Sequence, residues 1–401
     1  MARKSPNWLS TLHTYVEETE SPRHFWFWAG LFCIGASAQR KVWLPFGLET
    51  IYPNLFVMFV AKPGEYRKAA PVSFAKRILT DAQKAVFADS PTRRSILKFL
   101  DELSRTQTFY LNGKPKSHCS ASLISKELSS FFAIDPKSLV ELLTDLYDPH
   151  DEWEYKTSEK GTDKLYGNCL GSLFATTPEW ISLNLPEGAI GGGFTSRFVL
   201  LSADARYKSV PIPPQPDESL YASLLSDLHH IGMLQGEFIW EPGGKQLYET
   251  WYETLPQKIK DTRDERLHGY IARIHAIMLK TAMCLRLSYS DDLILGEKEV
   301  GSAIRLVESV LANASTALSA QGRNPSGLDM EKVMVQLRTF KKIPFKDLMR
   351  INYRNTSKMQ LDEILAGIEA MGHCQIETDT YTLERTVIWL GGAEGKGGVR
   401  R

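Results

Sequence analysis

Short hydrophobic runs alternate with helically periodic stretches along the first half of the chain. The runs lie at residues 55–60, 121–125, 170–175 and 198–202. A continuous apolar run of this length predicts a strand buried on both faces, and the stretches between the runs predict helices. Strands that alternate with helices indicate an α/β fold with a mostly parallel sheet, whose ligands bind at the carboxyl ends of the strands.

The segment after the first strand has the order of a phosphate-binding loop. A turn at Pro63 and Gly64 is followed by two cations, Arg67 and Lys68, and then by a helix predicted over residues 69–79. In such a loop, backbone N–H groups and the helix N-terminus hold an anion. The alternative interpretation is a tight surface turn between a strand and a helix.

This loop departs from the standard pattern G-x-x-x-x-G-K-[ST]. Ala61 occupies the place of the first glycine, and Tyr66 or Arg67 occupies that of the second. Ala69 follows Lys68 where a metal-binding hydroxyl is expected. Both Arg67 and Lys68 are candidates for the cation that faces the phosphates.

Polar residues also follow two of the other predicted strands. Lys126 and Glu127 come after the second strand, and Thr177 and Pro178 come after the third. Because the carboxyl ends of parallel strands share one edge of a sheet, we expect these residues and the loop to form one phosphate site. Alternatively, Glu127 belongs to the polar first turn of a helix, and Thr177 is a turn residue before proline.

Two linkers divide the chain. Residues 210–217 are rich in proline, which is typical of an extended connector, and residues 321–327 combine Gly, Pro and Ser. Residues 81–115 are predicted to be helical, with a turn at Asn112-Gly113. The predicted domains are an N-terminal helical segment (1–41), the sheet-containing core (42–209), a helical lid (210–320), a winged-helix domain (321–391) and a disordered basic tail (392–401).

The winged-helix prediction rests on three helices followed by two strands. Arg350, Arg354 and Lys358 stand four residues apart, which predicts one cationic face at the start of the third helix, residues 355–371. A recognition helix contacts DNA phosphates at such a place. Winged helices also dock onto proteins, and acidic residues later in the same helix dilute the charge.

Composition narrows the class of protein. The net charge is +1, so no global field attracts nucleic acid, and such contacts must come from local patches. The five cysteines are scattered without a C-x-x-C motif, which argues for a reducing interior and against structural zinc. Residues 25–38 are apolar over only about 14 residues, too short to span a bilayer. We expect a cytoplasmic protein without a membrane partner.

The aromatic residues 25–28 within this segment could form a base-stacking platform. We expect them to belong to the hydrophobic core instead.

Taken together, these residues resemble a family of helicase-like P-loop ATPases of phages and mobile elements, often described only as a domain of unknown function beside primases. The resemblance covers roughly residues 8–320. It rests on the loop with Pro63, Gly64, Arg67 and Lys68, and on stretches in matching order at residues 52–55, 126–128, 144–148, 153–155, 175–178, 191–198 and 272–273. The last three stretches also resemble the minichromosome-maintenance branch of hexameric AAA+ helicases.

The resemblance implies a role in ATP hydrolysis for each matched residue. Lys68 would hold the β- and γ-phosphates, Glu127 would orient the attacking water, and Thr177 would sense the γ-phosphate. Arg197 would be an arginine finger that reaches the site of a neighbouring subunit, and Arg273 would close the lid over the nucleotide. An arginine finger acts on the site of another subunit, so it has meaning only in an oligomer. We therefore expect a ring, and specifically a hexamer. Alternatively, Arg197 pairs with a carboxylate, and Arg273 is an exposed arginine on an amphipathic helix.

The resemblance also implies Mg²⁺ as the ion bound with ATP, although two usual anchors are missing. Lys126 replaces the acidic partner of Glu127, and Ala69 replaces the hydroxyl residue. Asp145 and Asp148 are candidates to replace them.

The implied protein has an AAA+/RecA-like core with a helical lid and a C-terminal winged helix. Its implied task is ATP-driven translocation on DNA, single-stranded in particular, or unwinding of DNA, during replication of a phage or mobile element, with a primase as a further partner. One alternative is a scaffold or loader that binds nucleotide without useful turnover. Another is a packaging or transposition motor, which the lack of a nuclease-type acidic cluster disfavours.

Overall fold

In the computed structural model the described residues are 2–87, 91–157, 161–185, 189, 193–203, 205–317, 325–353, 356–379 and 384–391. The chain divides into two compact units, residues 1–320 and residues 321–401. Each unit has a hydrophobic core of its own.

The first unit combines many helices with short strands. Its helices are α1 (Trp8–Tyr15), α2 (Arg23–Ala38), α3 (Ala69–Asp81), α4 (Arg93–Thr106), α5 (Leu128–Phe131), α6 (Pro136–Leu146), α7 (Pro178–Asn184), α8 (Glu218–Ile231), α9 (Pro242–Tyr252), α10 (Leu255–Asp261), α11 (His268–Leu287) and α12 (Glu297–Ala317). Its strands are β1 (Val42–Phe46), β2 (Glu49–Ile51), β3 (Phe56–Val60), β4 (Val86–Phe87), β5 (Thr108–Leu111), β6 (Lys114–Ser117), β7 (Cys119–Ser125), β8 (Glu152–Thr157), β9 (Gly161–Tyr166), β10 (Asn168–Thr176), β11 (Phe198–Ser202), β12 (Gly236–Glu237), β13 (Ile239–Trp240) and β14 (Ile294–Leu295).

A five-stranded, all-parallel sheet forms the centre of this unit. Its order is β11-β3-β10-β7-β4, with Phe56 of β3 opposite Ser172 of β10. All residues of β3 and β10 are buried, as expected for strands covered on both faces. The predicted α/β class with a parallel sheet is therefore confirmed. The edge strand β4 was not predicted, because two residues are too few to form a hydrophobic run.

Helix α2 packs directly on the sheet, against β3, β7 and β10. The ring of Phe25 stacks on that of Phe59, with centroids 4.4 Å apart, and Trp26 and Trp28 are buried. The predicted core position is confirmed for Phe25, Trp26 and Trp28, whereas Phe27 is partly buried and packs against the core. Gly35 permits the close approach, because a Cβ at this position would lie 2.1 Å from the carbonyl oxygen of Pro53.

The helices before and after the sheet share its core. Trp8 of α1 is fully buried, and its indole Nε1 donates a hydrogen bond to the carbonyl oxygen of Leu224 in α8. Helix α11 contacts α2, and α12 contacts β11. The segments predicted as an N-terminal helical part, a core and a lid thus form one compact unit.

The prediction of helix throughout residues 81–115 is wrong over most of that range. Among the described residues of this range, only α4 is helical after α3 ends, and β5 and β6 form an antiparallel hairpin. Asn112 and Gly113 both have positive φ angles, 50° and 75°, which is the turn geometry that joins two hairpin strands. A second hairpin, β8–β9, was not predicted.

The second unit consists of three helices and a three-stranded antiparallel sheet. Its elements are α13 (Pro325–Phe340), β15 (Lys342–Pro344), α14 (Phe345–Asn352), α15 (Lys358–Ala370), β16 (Cys374–Thr378) and β17 (Arg385–Trp389). The sheet order is β15-β17-β16, so β15 joins the predicted terminal hairpin. Leu348, Leu361 and Val387 are among the fully buried residues of its core.

Candidate functional site

The topology of the parallel sheet produces a crevice between β3 and β10. After β3 the chain runs through α3 to β4 at one edge of the sheet, whereas after β10 it runs to β11 at the opposite edge. These two strands are neighbours, so the connections leave their carboxyl ends in opposite directions. Ligands of open α/β sheets bind at such a switch point. The loop from Ala61 to Lys68 and the residue Thr177 lie at this crevice.

Lys68 lies beneath the loop at the start of α3. Its side chain is buried, with the residue only 7% exposed, and its Nζ donates a hydrogen bond to the carbonyl oxygen of Ala61 at 2.9 Å. Burial lowers the pKa of Lys68, while the nearby carboxylates of Glu127 and Glu179 act in the opposite direction. The loop therefore encloses an ammonium group beside the N-terminus of α3.

Arg67 adopts a different arrangement. Its φ angle is +49°, a left-handed conformation, and its side chain is 60% exposed. The Nε atom donates to Glu20 Oε2 at 2.8 Å, and the Arg67 carbonyl oxygen accepts a hydrogen bond from the Ser21 hydroxyl at 2.7 Å. Of the two candidate cations, Lys68 is thus the one inside the loop.

Glu20 holds the outside of the loop. Its carboxylate also lies 3.5 Å from Nη1 of Arg206, whose Nε donates to the carbonyl oxygen of Glu65. The hydrogen bond from Arg67 is the main reason why the pKa of Glu20 is lowered. Glu20 and Arg206 could not be predicted from the sequence, because their partners are more than 40 residues distant along the chain in every case.

Glu127 follows β7 and precedes the short helix α5. Its side chain is exposed, and it acts electrostatically on Lys68. Because β10 lies between β3 and β7, the carboxyl ends of these two strands are on the order of 10 Å apart. Lys68 and Glu127 therefore lie on either side of the carboxyl end of β10, near enough for Glu127 to act on Lys68 electrostatically.

Thr177 caps the helix that follows β10. Its hydroxyl accepts a hydrogen bond from the Trp180 backbone N–H at 3.2 Å, and Glu179 lies in the first turn of α7. The preceding residue, Thr176, is buried, and its hydroxyl has no hydrogen-bond partner among the described residues. Thr176 and Glu179 complete the polar end of β10, although the sequence analysis assigned them no role.

Arg197 lies at the other end of the parallel strands, the amino-terminal end, immediately before β11. Its Nη2 donates to Asp148 Oδ2 at 2.9 Å, and its Nη1 donates to the carbonyl oxygen of Gly193. A five-residue strand spans roughly 17 Å, so Arg197 and Lys68 of one chain are separated by the height of the sheet. The described contacts match the alternative interpretation of Arg197 as a buried arginine paired with a carboxylate.

Arg273 lies with this second group rather than with Lys68. It is exposed on α11, and both Arg273 and Arg197 oppose the rise in the Tyr147 pKa that burial causes. The carbonyl oxygen of Tyr147 accepts a hydrogen bond from Asn54, just before β3 begins. The structure therefore brings Lys68, Glu127 and Thr177 to the carboxyl ends of the parallel strands. It places Arg197 and Arg273 near the amino ends.

The predicted substitutes for the missing magnesium anchors are also near the amino ends of the strands. Asp148 pairs with Arg197, and Asp145 accepts a hydrogen bond from Trp153 Nε1 at 2.5 Å. Neither aspartate lies beside Lys68 of the same chain, and their role as substitute anchors stays untested. The candidate carboxylates near Lys68 are those of Glu127 and Glu179.

The crevice fits a phosphate better than it fits a metal ion. An ammonium group, a helix N-terminus and a loop backbone are the usual partners of a phosphate. Among the described residues, no group of three or more His, Cys, Asp or Glu side chains is placed to hold a metal. A magnesium ion would depend on the phosphates for several of its ligands.

The cationic residues of the second unit do not share one helix. Helix α14 ends at Asn352, and α15 starts only after Ser357, which forms a reciprocal cap with Gln360. Arg350 is 71% exposed in the last turn of α14, while Lys358 is the first residue of α15. The predicted single helix face is therefore wrong. Arg354 lies outside the described residues.

The chain matches no protein-family model, and its sequence matches no curated protein. In the part of the chain that the structure describes, no helix is both long and apolar enough to cross a membrane.

Proposed function

We propose that residues 1–320 form a P-loop ATPase of the AAA+/RecA-like class, and that the protein uses ATP to move along or unwind DNA during replication of a phage or mobile element. The observation that carries the proposal is the convergence of Lys68, Glu127 and Thr177 at the switch point of the parallel sheet. A cation, an acid and a hydroxyl around one crevice are the groups that phosphoryl transfer needs.

Each group has a distinct task in the proposed hydrolysis. Lys68 exchanges the carbonyl oxygen of Ala61 for phosphate oxygens and neutralises their charge. Glu127, exposed across the end of β10, positions the water that attacks the γ-phosphate. Thr177 or its neighbour Thr176 contacts the γ-phosphate. Bound Mg²⁺ supplies further neutralisation of the phosphate oxygens.

The second unit is the proposed DNA-binding module. Three helices with an antiparallel sheet of order β15-β17-β16 support a winged helix. The exposed Arg350 and Lys358 flank the turn between α14 and α15, where they are free of the hydrophobic core. We assign them contacts with DNA phosphates, which carry affinity but no sequence preference.

The proposed assembly is a ring, in which Arg197 is a finger in the neighbour's site. The resemblance to hexameric AAA+ helicases favours a hexamer. This role requires Arg197 to exchange Asp148 and Gly193 for a phosphate of that neighbour. The proposal places the protein in the cytoplasm of the host cell, where a primase would act beside it.

A nucleotide-binding scaffold is the second candidate. The observation in its favour is the loss of magnesium anchors: position 69 is alanine, position 126 is lysine, and both Asp145 and Asp148 are engaged near the amino ends of the strands. Such a protein would bind nucleotide and DNA and would bridge other replication proteins without turnover.

Steady-state ATP hydrolysis, with and without single-stranded DNA, tests the proposal. We expect DNA-stimulated turnover that Lys68→Ala and Glu127→Gln abolish and that Lys245→Ala preserves, because Lys245 is an exposed lysine of α9 outside the phosphate loop. Nucleotide binding without turnover in the parent protein would establish the scaffold instead. A parent protein that binds no nucleotide would overturn both.

A further inference from the structure

Two lysines meet at the end of α8. Lys41 lies in the short helical turn between α2 and β1, and Lys84 lies between α3 and β4. The Nζ of Lys41 donates a hydrogen bond to the carbonyl oxygen of Gly232, the residue that caps α8. The Nζ of Lys84 approaches the same glycine so closely that a Cβ there would lie 2.3 Å from it. The fold therefore brings two amines together at one residue.

Lys84 has the poorer surroundings for a charged amine. Among the described residues, no acceptor receives a hydrogen bond from its Nζ, and no carboxylate forms an ion pair with either lysine. The carbonyl oxygen at the end of α8, where a cation is favoured, is bonded to Lys41. Lys84 is partly exposed, and its Nζ is not among the enclosed polar atoms of the described chain, so a small molecule can reach it.

The ionisable groups of the neighbouring helices do not supply the missing partner. At the end of α3, Asp81 accepts a hydrogen bond from a tyrosine hydroxyl. In α8, Asp227 accepts hydrogen bonds from the backbone N–H groups of residues 4 and 5. The last turn of α8 carries His229 and His230, of which the second contacts an aspartate. Lys84 therefore has no carboxylate of its own on these helices.

The other titratable groups nearby are cations and a histidine. Burial and the charges of three cations, Lys41 first, lower the pKa of His118 to about 4, so its imidazole is neutral at pH 7. The other two cations are Arg40, which pairs with Asp151, and Lys84. Burial and the charge of Lys41 also lower the pKa of Lys84 to about 8. Roughly a tenth of the Lys84 side chains are then neutral at pH 7, against roughly one in a few thousand for an ordinary lysine.

We propose that Lys84 is a nucleophilic amine that accepts an acyl group from an acyl phosphate, and that Lys41 holds the phosphate of this donor. A neutral amine beside a second cation is an activated nucleophile. An ammonium group has three N–H donors, so Lys41 can bind the phosphate while it keeps its bond to Gly232.

The transfer is a simple acyl substitution. The Lys84 nitrogen attacks the acyl carbon with its free electron pair, and a C–N bond forms as the C–O bond to the phosphate breaks. The phosphate leaves with the electron pair of that bond, and the proton of the amine passes to water. No group is oxidised or reduced, and the product is an amide without charge at position 84.

Labelling of the full chain with acetyl phosphate, followed by mass spectrometry of its peptides, tests the proposal. At pH 7.5 the acetylation of Lys84 should be roughly tenfold faster than that of Lys245, an exposed lysine of α9, because a larger neutral fraction outweighs the lower basicity of the amine. The rate at Lys84 should level off above about pH 9, whereas the rate at Lys245 should still rise at about pH 10. Equal rates at pH 7.5, or parallel pH profiles, would overturn the proposal.

A substitution of the second amine tests its role. Lys41→Met should slow the acetylation of Lys84 about fivefold at pH 7.5 and move the levelling of its rate to higher pH. Lys298→Met, the same change in α12, should alter neither quantity. With acetic anhydride, a donor without phosphate, the effect of Lys41→Met should be smaller. Unchanged labelling in a folded Lys41→Met protein would overturn the role of Lys41, and the pH profile of the parent decides the reactivity of Lys84 even if this variant does not fold.

Discussion

Lys68 and Lys280 are both buried lysines of the first unit, in different surroundings. Lys68 lies under a loop at the edge of the sheet, within electrostatic reach of two carboxylates. Lys280 is enclosed in the core, where its Nζ donates to Asn54 Oδ1 at 2.5 Å and lies 4.3 Å from the centroid of the Tyr147 ring. Only the first of these ammonium groups borders a crevice that an anion can enter.

The charge of Lys280 should be visible in the pH dependence of stability. Burial lowers its pKa from 10.5 to about 8. Between these values the unfolded chain binds more protons than the folded one, so this group raises the free energy of unfolding by about 3 kcal/mol as the pH increases across that window. Lys280→Met lacks the effect.

Urea unfolding of the parent and of Lys280→Met at several pH values between 8 and 10.5 measures this change in the free energy of unfolding. The other titrating groups are common to both proteins and cancel in the difference. The parent should gain stability relative to Lys280→Met as the pH rises. A difference that stays constant over the window would contradict a lowered pKa.

If phosphate binds the loop as proposed, the carboxylate of Glu20 competes with it for two arginines. Its carboxylate binds Arg67 and Arg206, which bracket the loop from outside. Glu20→Gln removes this negative charge, so tripolyphosphate should bind about two- to fivefold more tightly at low salt, with the gain reduced at high salt. Glu18→Gln is the matched control, because Glu18 pairs with Lys208 instead. Equal affinities for the two variants would show that Glu20 has no influence on the loop.

At the scale of elements, the position of α2 on the sheet depends on a single glycine. A Cβ at Gly35 would lie 2.1 Å from the Pro53 carbonyl oxygen, and backbone atoms cannot yield as a flexible side chain can. Gly35→Ala should therefore lower the free energy of unfolding by about 3 kcal/mol, despite the better helix propensity of alanine.

Chemical denaturation of the full chain tests this expectation. Gly47→Ala is not a suitable control, because Gly47 has a φ angle of 63°. Ala36→Ser, on the same helix at a partly exposed position, should change stability by less than about 0.5 kcal/mol. A small effect of Gly35→Ala would mean that α2 can move away from the sheet at little cost.

The elements also show where pattern analysis succeeds. The strand at Phe198–Ser202 has the predicted bounds. Phe56–Val60 starts one residue later than predicted, and Asn168–Thr176 starts two residues earlier and ends one residue later. Both faces of these strands are buried, so their hydrophobic runs are continuous. The β5–β6 hairpin was missed because Lys114–Ser117 is exposed throughout and carries no such run.

At the scale of the whole molecule, the proposed ring depends on Arg197, which lies at the amino ends of the parallel strands. Within one chain Arg197 and Lys68 lie at opposite ends of the parallel strands, roughly 17 Å apart along the strand direction, so the proposed finger would serve a neighbour's site. A mixing experiment therefore tests the ring directly. Lys68→Ala subunits keep the finger, and Arg197→Ala subunits keep the phosphate site, so a ring that mixes them should recover ATP hydrolysis at about a quarter of its interfaces.

Neither variant alone should hydrolyse ATP under this proposal. Circular dichroism of Arg197→Ala must show a folded protein, because loss of the pair with Asp148 is itself destabilising. Absence of recovery on mixing two folded variants would contradict the finger and leave Arg197 as the structural partner of Asp148.

The sequence by itself determined the class of the fold and one edge of the candidate site. Continuous hydrophobic runs indicate buried strands. The rule that parallel strands end at a common edge then predicts that Lys68, Glu127 and Thr177 lie together. These inferences rest on local pattern and on topology, both of which can be read along the chain.

Only the tertiary structure decided which groups surround each of these residues. The contact of Glu20 with Arg67, the pairing of Arg197 with Asp148 and the meeting of Lys41 with Lys84 all depend on how distant segments pack. Sequence spacing also placed Arg350 and Lys358 on one helix, whereas the cap at Ser357 separates them. Such contacts depend on the three-dimensional approach of side chains, for which no periodicity along the chain exists.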